Sequence, residues 1–151
     1  MSTSPDIKAP GINGPDIRAR LLAAGVNVTR QRLALAELLF RQHDRHVTAE
    51  QLFGEALKAG HDVSLATIYN NLKAFCDARL LREVIVDATR SYYDTNVSRH
   101  HHFYAEEARA LSDIPDQGVV LTRLPPAPDG MEIIDYEVMI RVTSQQGKAK
   151  T

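Results

Sequence analysis

The chain has 151 residues, 44% of them apolar and 25% charged, with a formal net charge of −1. That length suits one domain, or two small ones sharing a core, and no stretch reaches the roughly 18 apolar residues of a membrane-spanning helix. A single cysteine, Cys76, excludes an intrachain disulfide, and the opening MSTSPDIKAPGINGP lacks the apolar centre of a secretory signal, so a cytoplasmic protein is expected.

After a flexible lead-in over residues 1–14, PDIRARLLAAG reads as a short helix with Pro15 near its start and Gly25 as its stop. TRQRLALAELLFRQ opens on Thr29 as N-cap and puts Leu33, Ala36, Leu39 and Phe40 on one stripe. TAEQLFGEALKAG pairs Thr48 with Gln51 as a capping box and ends at Gly60. SLATIYNNLKAFCDAR starts on Ser64; Leu65, Ile68, Leu72, Phe75 and Cys76 form its buried stripe, and Thr67, Asn70 and Asn71 face outwards. Cys76 therefore reads as a core thiol rather than a sensor.

The period then changes. LLREVIVDATRSYYDT alternates on both sides of the polar DAT, which predicts a hairpin. Strand-like pieces follow around His100–Ala105 and Arg109–Ile114, then a helix near Pro115–Leu124, the turn-rich PPAPDG, and a long alternating strand in MEIIDYEVMIRVT. Helices followed by a hairpin predict a winged helix-turn-helix domain over residues 15–96. A small α/β dimerisation domain takes residues 97–143, and its last strand leaves an edge for a twin; residues 144–151 form a flexible tail. The expected fold class is α+β.

Charge is segregated along this order. Residues 18–90 carry 11 Lys and Arg against 8 Asp and Glu, and residues 91–151 carry 6 against 9. A basic module joined to an acidic one suits a polyanion partner, although solvated surface charge explains the imbalance nearly as well. The fourth helix has the form a DNA major groove accepts, about 12 Å wide. Thr67, Asn70, Asn71 and Tyr69 are its base-reading candidates, and Arg30, Arg32 and Lys73 are candidates for phosphate. An ordinary solvated helix face would show the same pattern.

TRQRLALAELL, RHVTAEQLF, VSLATIYNNLKAFCDARLL and YYDTNVSRHHH, in this order, resemble the ferric-uptake-regulator (Fur) family of winged-helix repressors. The resemblance covers about residues 18–143. It implies a homodimer binding a double-stranded DNA operator, with Ser64, Ala66, Thr67, Tyr69 and Asn70 on the recognition helix. Two departures stand out. FYAEEARALSDI contains no cysteine, so the four-cysteine structural zinc common in the family has no ligands here, and Asn70 replaces the usual arginine after Tyr69. With the unbroken HHH and SLATIYNNL, these resemble the iron-response-regulator (Irr) branch, which implies haem or iron as effector. The Cys-Pro haem motif of some members is missing, which leaves haem to His100, His101 and His102.

On a strand, His100 and His102 share one face and His101 takes the other. Residues two apart lie about 7 Å apart and point the same way, so this pair cannot supply both axial ligands of one haem. By resemblance, His46 from the first module, Asp94, the cluster and Asp113 form a regulatory metal site, with His46, Asp94 and His102 at its centre. Its N/O donors suit zinc, iron or manganese. Tyr104 stands where the family often has a further histidine. Within the family, a zinc- or peroxide-sensing repressor is the alternative. A small metal-dependent enzyme is the rival from another class, but no H-E-x-x-H or general base beside an open metal position supports it.

Overall fold

Three helices begin on the side-chain oxygens the sequence places before them. In the computed structural model, which describes residues 14–41 and 43–145, helix α1 covers Gly14–Ala23 and α2 Arg30–Phe40. Strand β1 is His46–Val47, and α3 and α4 cover Ala49–Lys58 and Leu65–Asp77. Thr29 Oγ1 accepts from Arg32 N, and Ser64 Oγ accepts from Thr67 N, each at 3.1 Å. Thr48 and Gln51 exchange both capping-box bonds. These bonds satisfy amides that have no partner inside a helix. Helices α1 and α3 stop at Gly25 and Gly60, whose φ angles of 79° and 84° suit glycine. The expected lead-in and tail fall largely on residues 1–13 and 146–151, outside the described residues.

Strands β2, Arg82–Asp87, and β3, Arg90–Asp94, form the expected hairpin. Asp87 Oδ1 accepts from the amide and hydroxyl of Thr89 at its tip, which together hold the Asp87 carboxyl down at about 2. β1 pairs antiparallel with β3, giving the order β1-β3-β2 and placing His46 opposite Asp94. The two-residue β1 is not among the expected elements, which leave His46 only in the approach to α3. Inside lie Ile17, Leu21, Leu35, Leu39, Leu52, Ile68, Leu72 and Phe75, all essentially inaccessible. Phe40 meets Phe75 edge to face at 6.0 Å. The stripes differ from expectation at their margins. Leu35 replaces Leu33 as a buried residue of α2, and Leu65 and Cys76 are half-buried.

Contacts divide the chain into two compact units between Val97 and Ser98. The second holds β4, His102–Ala105; β5, Ala110–Asp113; and β6, Met139–Val142, in the order β5-β4-β6. β4 and β5 are antiparallel, and β6 runs parallel to β4. Together these elements make an α+β protein.

Two expectations for this unit fail. Residues 115–124 form turns and bends, not a helix. Gly118 N donates to Pro115 O at 2.8 Å, closing a turn with Gln117 at φ 65°, and a left-handed residue one turn in breaks helical propagation. The last strand is four residues rather than the length of MEIIDYEVMIRVT, and residues 131–138 lie in no strand. Alternation there does not mark a buried face, since Met131, Ile133 and Ile134 are all exposed.

Candidate metal centre and helix face

His46 and Asp94 meet because β1 and β3 bring them into register. His46 Nε2 lies 3.0 Å from Asp94 Oδ2, and the Asp94 side chain is 1% exposed. Its other oxygen, Oδ1, accepts from Asn96 N at 2.9 Å. The short β1 is held from its flank: Arg45 N donates to Thr95 Oγ1 at 2.8 Å. The Arg45 guanidinium forks onto both oxygens of Glu55 at 2.9 and 2.8 Å. A buried carboxylate is stable only against a cation or hydrogen-bond donors; the Asn96 amide is one such donor to Asp94, and His46 is a cation beside it only when protonated.

The second unit builds its own cluster. His100 Nε2 and His102 Nε2 lie 3.0 and 3.4 Å from the same atom, Asp113 Oδ1. Ligand atoms of His100, His102 and Asp113 all lie within 4.8 Å of one another. The rings stand edge to face at 4.5 Å, with both histidines buried. Asp113 reaches them because it pairs with His102 across β4 and β5. His100 Nδ1 lies 2.7 Å from Ser98 O, and His102 Nδ1 lies 2.9 Å from Glu137 Oε1. Both of these partners only accept, so each ring carries a proton on Nδ1 and, when neutral, turns its Nε2 lone pair towards Asp113. Two lone pairs facing a carboxylate oxygen repel it. A proton or a metal cation between them removes that conflict, and N/O donors at these separations suit zinc, iron or manganese.

His101, which like His100 precedes β4 rather than lying on it, has different partners. Its ring stacks on Tyr136 at 5.7 Å, and its Nδ1 accepts from Val138 N at 3.0 Å. Tyr104, at the position of a family histidine, is fully buried, and the Arg141 guanidinium lies 5.6 Å from the centre of its ring. Glu137 escapes the sequence reading, because the EVM of a presumed strand gives no sign that its carboxylate turns to a histidine. Burial pushes the Cys76 thiol up to about 11, so it is protonated at neutral pH and is not a thiolate ligand.

On α4, Ala66, Tyr69, Asn70 and Lys73 are exposed, whereas Thr67 is half-buried and shares a 2.9 Å bond with Ser64. Tyr69 OH donates to Glu50 of α3 at 2.9 Å, and Lys73 pairs with Asp77. Arg30 is exposed. Arg32 is half-buried and donates to Asn71 Oδ1 and Asn27 O. Asn71 does not face outwards: it is 6% exposed, and its Nδ2 donates to Thr67 O at 2.8 Å. The position lies between the polar and apolar arcs, and its bond with Arg32 draws it inward.

An α+β chain with a helix bearing a polar outer face and a histidine–carboxylate cluster of metal-ligand type has the form of a metal-responsive regulator. The Ferric uptake regulator family model matches residues 23–141. The chain belongs to that family, whose members are transcription regulators. It is 34% identical over 95 residues to the peroxide-responsive repressor PerR of Staphylococcus epidermidis, covering 63% of this chain and 63% of that one. The match to PerR of Staphylococcus aureus strain COL has the same identity and covers 64% of that protein. This chain thus spans less than two thirds of those relatives. Among solved structures it is similar in fold to the ferric uptake regulator of Pseudomonas aeruginosa with manganese, at TM-score 0.64 and 24% identity, covering 85% and 97% of the two chains. The regulator of Francisella tularensis with iron gives 0.64 and 20%, covering 81% and 94%.

Proposed function

We propose that the chain is a dimeric DNA-binding transcription regulator that responds to iron or haem, the activity of the Irr branch. Residues 15–96 form its winged helix-turn-helix domain, with α4 as recognition helix, and residues 97–143 form its dimerisation and sensing domain. Ser64, Ala66, Thr67, Tyr69 and Asn70 lie at the base edges, while Arg30, Arg32 and Lys73 contact phosphate. His46 and Asp94 share one ion with His100, His102 and Asp113, so that loading it sets the relation between the two reading heads of a dimer. His101 faces away from that ion and is left to a haem or a second metal. A dimer is needed because two linked heads gain affinity through effective concentration. The exposed Val120, Leu121, Met131 and Ile134 supply apolar surface for it. The protein works in the cytoplasm.

The observation that carries this reading is the convergence of two buried imidazole nitrogens on Asp113 Oδ1. A second reading, a peroxide-responsive repressor, draws on the Staphylococcus relatives and on a donor set without thiolate. A zinc sensor is the third. Operator affinity of the full chain, measured with and without haem, Mn²⁺ and Zn²⁺, tests the proposal. Iron or haem sensing predicts a haem- or manganese-dependent change in operator affinity; a response to zinc alone assigns the protein to zinc sensing. For the peroxide reading, hydrogen peroxide abolishes operator binding of the Fe²⁺-loaded protein and spares the Mn²⁺-loaded one.

A further inference from the structure

The dipeptide Glu137–Val138 reaches both later members of the histidine run. Glu137 Oε1 lies 2.9 Å from His102 Nδ1, and Val138 N donates to His101 Nδ1 at 3.0 Å. Val138 O in turn accepts from His102 N at 3.2 Å. A carboxylate accepts and an amide N–H donates, so the two neighbours impose opposite tautomers. His102 holds its proton on Nδ1, whereas neutral His101 holds it on Nε2. His100, whose Nδ1 donates to Ser98 O, matches His102. Along the run the proton therefore alternates between ring nitrogens. His100 and His102 present Nε2 to Asp113, and the lone pair of His101 is committed to a backbone amide.

We infer that Glu137 is a positioning residue of the metal centre: it fixes His102 with the proton on Nδ1 and Nε2 aimed at the ion, while the Val138 amide keeps His101 from competing for it. This rests on the reading of His102 as a ligand. The His102 ring is wholly buried and the Glu137 side chain is one-quarter exposed, so the carboxylate enters the cluster from its rim. Ligating histidines commonly donate their second N–H to a carboxylate, which fixes ring orientation and makes the ligating nitrogen more basic; losing that partner costs about 10–100-fold in metal affinity. Sequence alone places Glu137 far from the histidines, and only the pairing of β6 with β4, which Glu137 and Val138 directly precede, brings it back.

The test measures Mn²⁺ affinity of the full chain as wild type, Glu137→Gln, Glu137→Ala and Glu132→Gln, the last an exposed carboxylate as control. Nitrogen-15 spectra of the histidine rings, recorded without metal, read the tautomers independently. Glu137→Ala should weaken Mn²⁺ by about 10–100-fold and turn His102 into a tautomer mixture while His100 stays Nδ1–H. Glu137→Gln keeps the acceptor but not the charge, so it should hold the tautomer and lose less affinity; Glu132→Gln should change neither. The glutamine variant is nearly isosteric, which separates loss of charge from loss of fold. Wild-type binding left intact in Glu137→Ala, or an unchanged His102 tautomer there, overturns the positioning role alone. A wild type that binds no Mn²⁺, Fe²⁺ or Zn²⁺ overturns the metal reading and this role with it.

Discussion

Residues 17–93 and 98–145 spend their sequence differently. The first stretch buries Leu35, Leu39, Leu52, Ile68, Leu72 and Phe75 in one apolar core, with helices capped at both ends. In the second, the buried apolar side chains among the described residues are Tyr104, Leu111 and Ile114, and two histidines sit beside them. Three four-residue strands around polar ligands cannot draw enough stability from apolar burial. A unit of that kind would gain more from a bound ion or a partner than from its own packing, whereas the helical unit depends on packing.

The largest effect should come from the packed unit. Phe75→Ala removes a fully buried ring that meets Phe40, and should cost about 3–5 kcal/mol in chemical denaturation. Leu111→Ala, at a site 8% exposed in a thin sheet, should cost clearly less. Equal losses would mean that the second unit has an apolar core of ordinary strength.

Metal should discriminate in the opposite sense. At 100 times its dissociation constant, an ion bound only by the native state adds about 2.7 kcal/mol. Thermal melts of the wild type with Mn²⁺ should show that gain, and His102→Ala should abolish it. His46→Ala should weaken the same gain, and the His46/His102 double variant should cost far less than the sum of the two single losses, because removing one ligand already breaks a shared site. Additive losses would sink the shared ion. A gain that survives His102→Ala would move the metal elsewhere.

The helix face of the first unit gives a smaller, sequence-specific effect. Tyr69→Ala or Asn70→Ala should weaken operator binding by about 1–3 kcal/mol while nonspecific duplex binding changes little. Arg30→Ala should weaken all duplexes and flatten the salt dependence. Tyr69 donates to Glu50, so its ring is already held before any DNA arrives. Operator affinity unchanged in Tyr69→Ala would remove α4 from the reading role.

The contrast between the units also explains what the sequence could reveal. Caps at Thr29, Thr48 and Ser64 are local: the oxygen and the amide it serves are three residues apart, so the chain displays them directly. The β2–β3 hairpin is equally local. β1 is not, because two residues show no period and His46 becomes a strand residue only by pairing with Asp94, 48 positions on. Asn71 reads as outward on a helical wheel and is drawn inward by Arg32, 39 positions away. Glu137 meets His102 across 35 positions. The histidines and aspartates of the candidate site were recognisable by family pattern, whereas their partners depend on long-range pairing that no local period encodes.

The smallest effect probes the helix ends. Three helices of the first unit finish in the same double hydrogen bond, with a residue of positive φ between the bonds. After α1, Val26 N donates to Leu21 O and Gly25 N to Leu22 O; after α3, His61 N donates to Ala56 O and Gly60 N to Leu57 O. After α4, Leu80 N donates to Phe75 O and Arg79 N to Cys76 O, but the left-handed residue is Arg79, at φ 60°. A side chain in that region costs about 1–2 kcal/mol that glycine avoids, and glycine gives part of this back through a more flexible unfolded chain. Arg79→Gly should therefore stabilise the protein by about 0.5–1 kcal/mol, read as a higher denaturation midpoint with unchanged slope. Gly25→Ala and Gly60→Ala, which meet no steric obstacle to a Cβ and suffer only the backbone strain, should destabilise by a similar amount. A lower midpoint for Arg79→Gly would mean that the arginine side chain contributes more at this corner than its backbone strain removes.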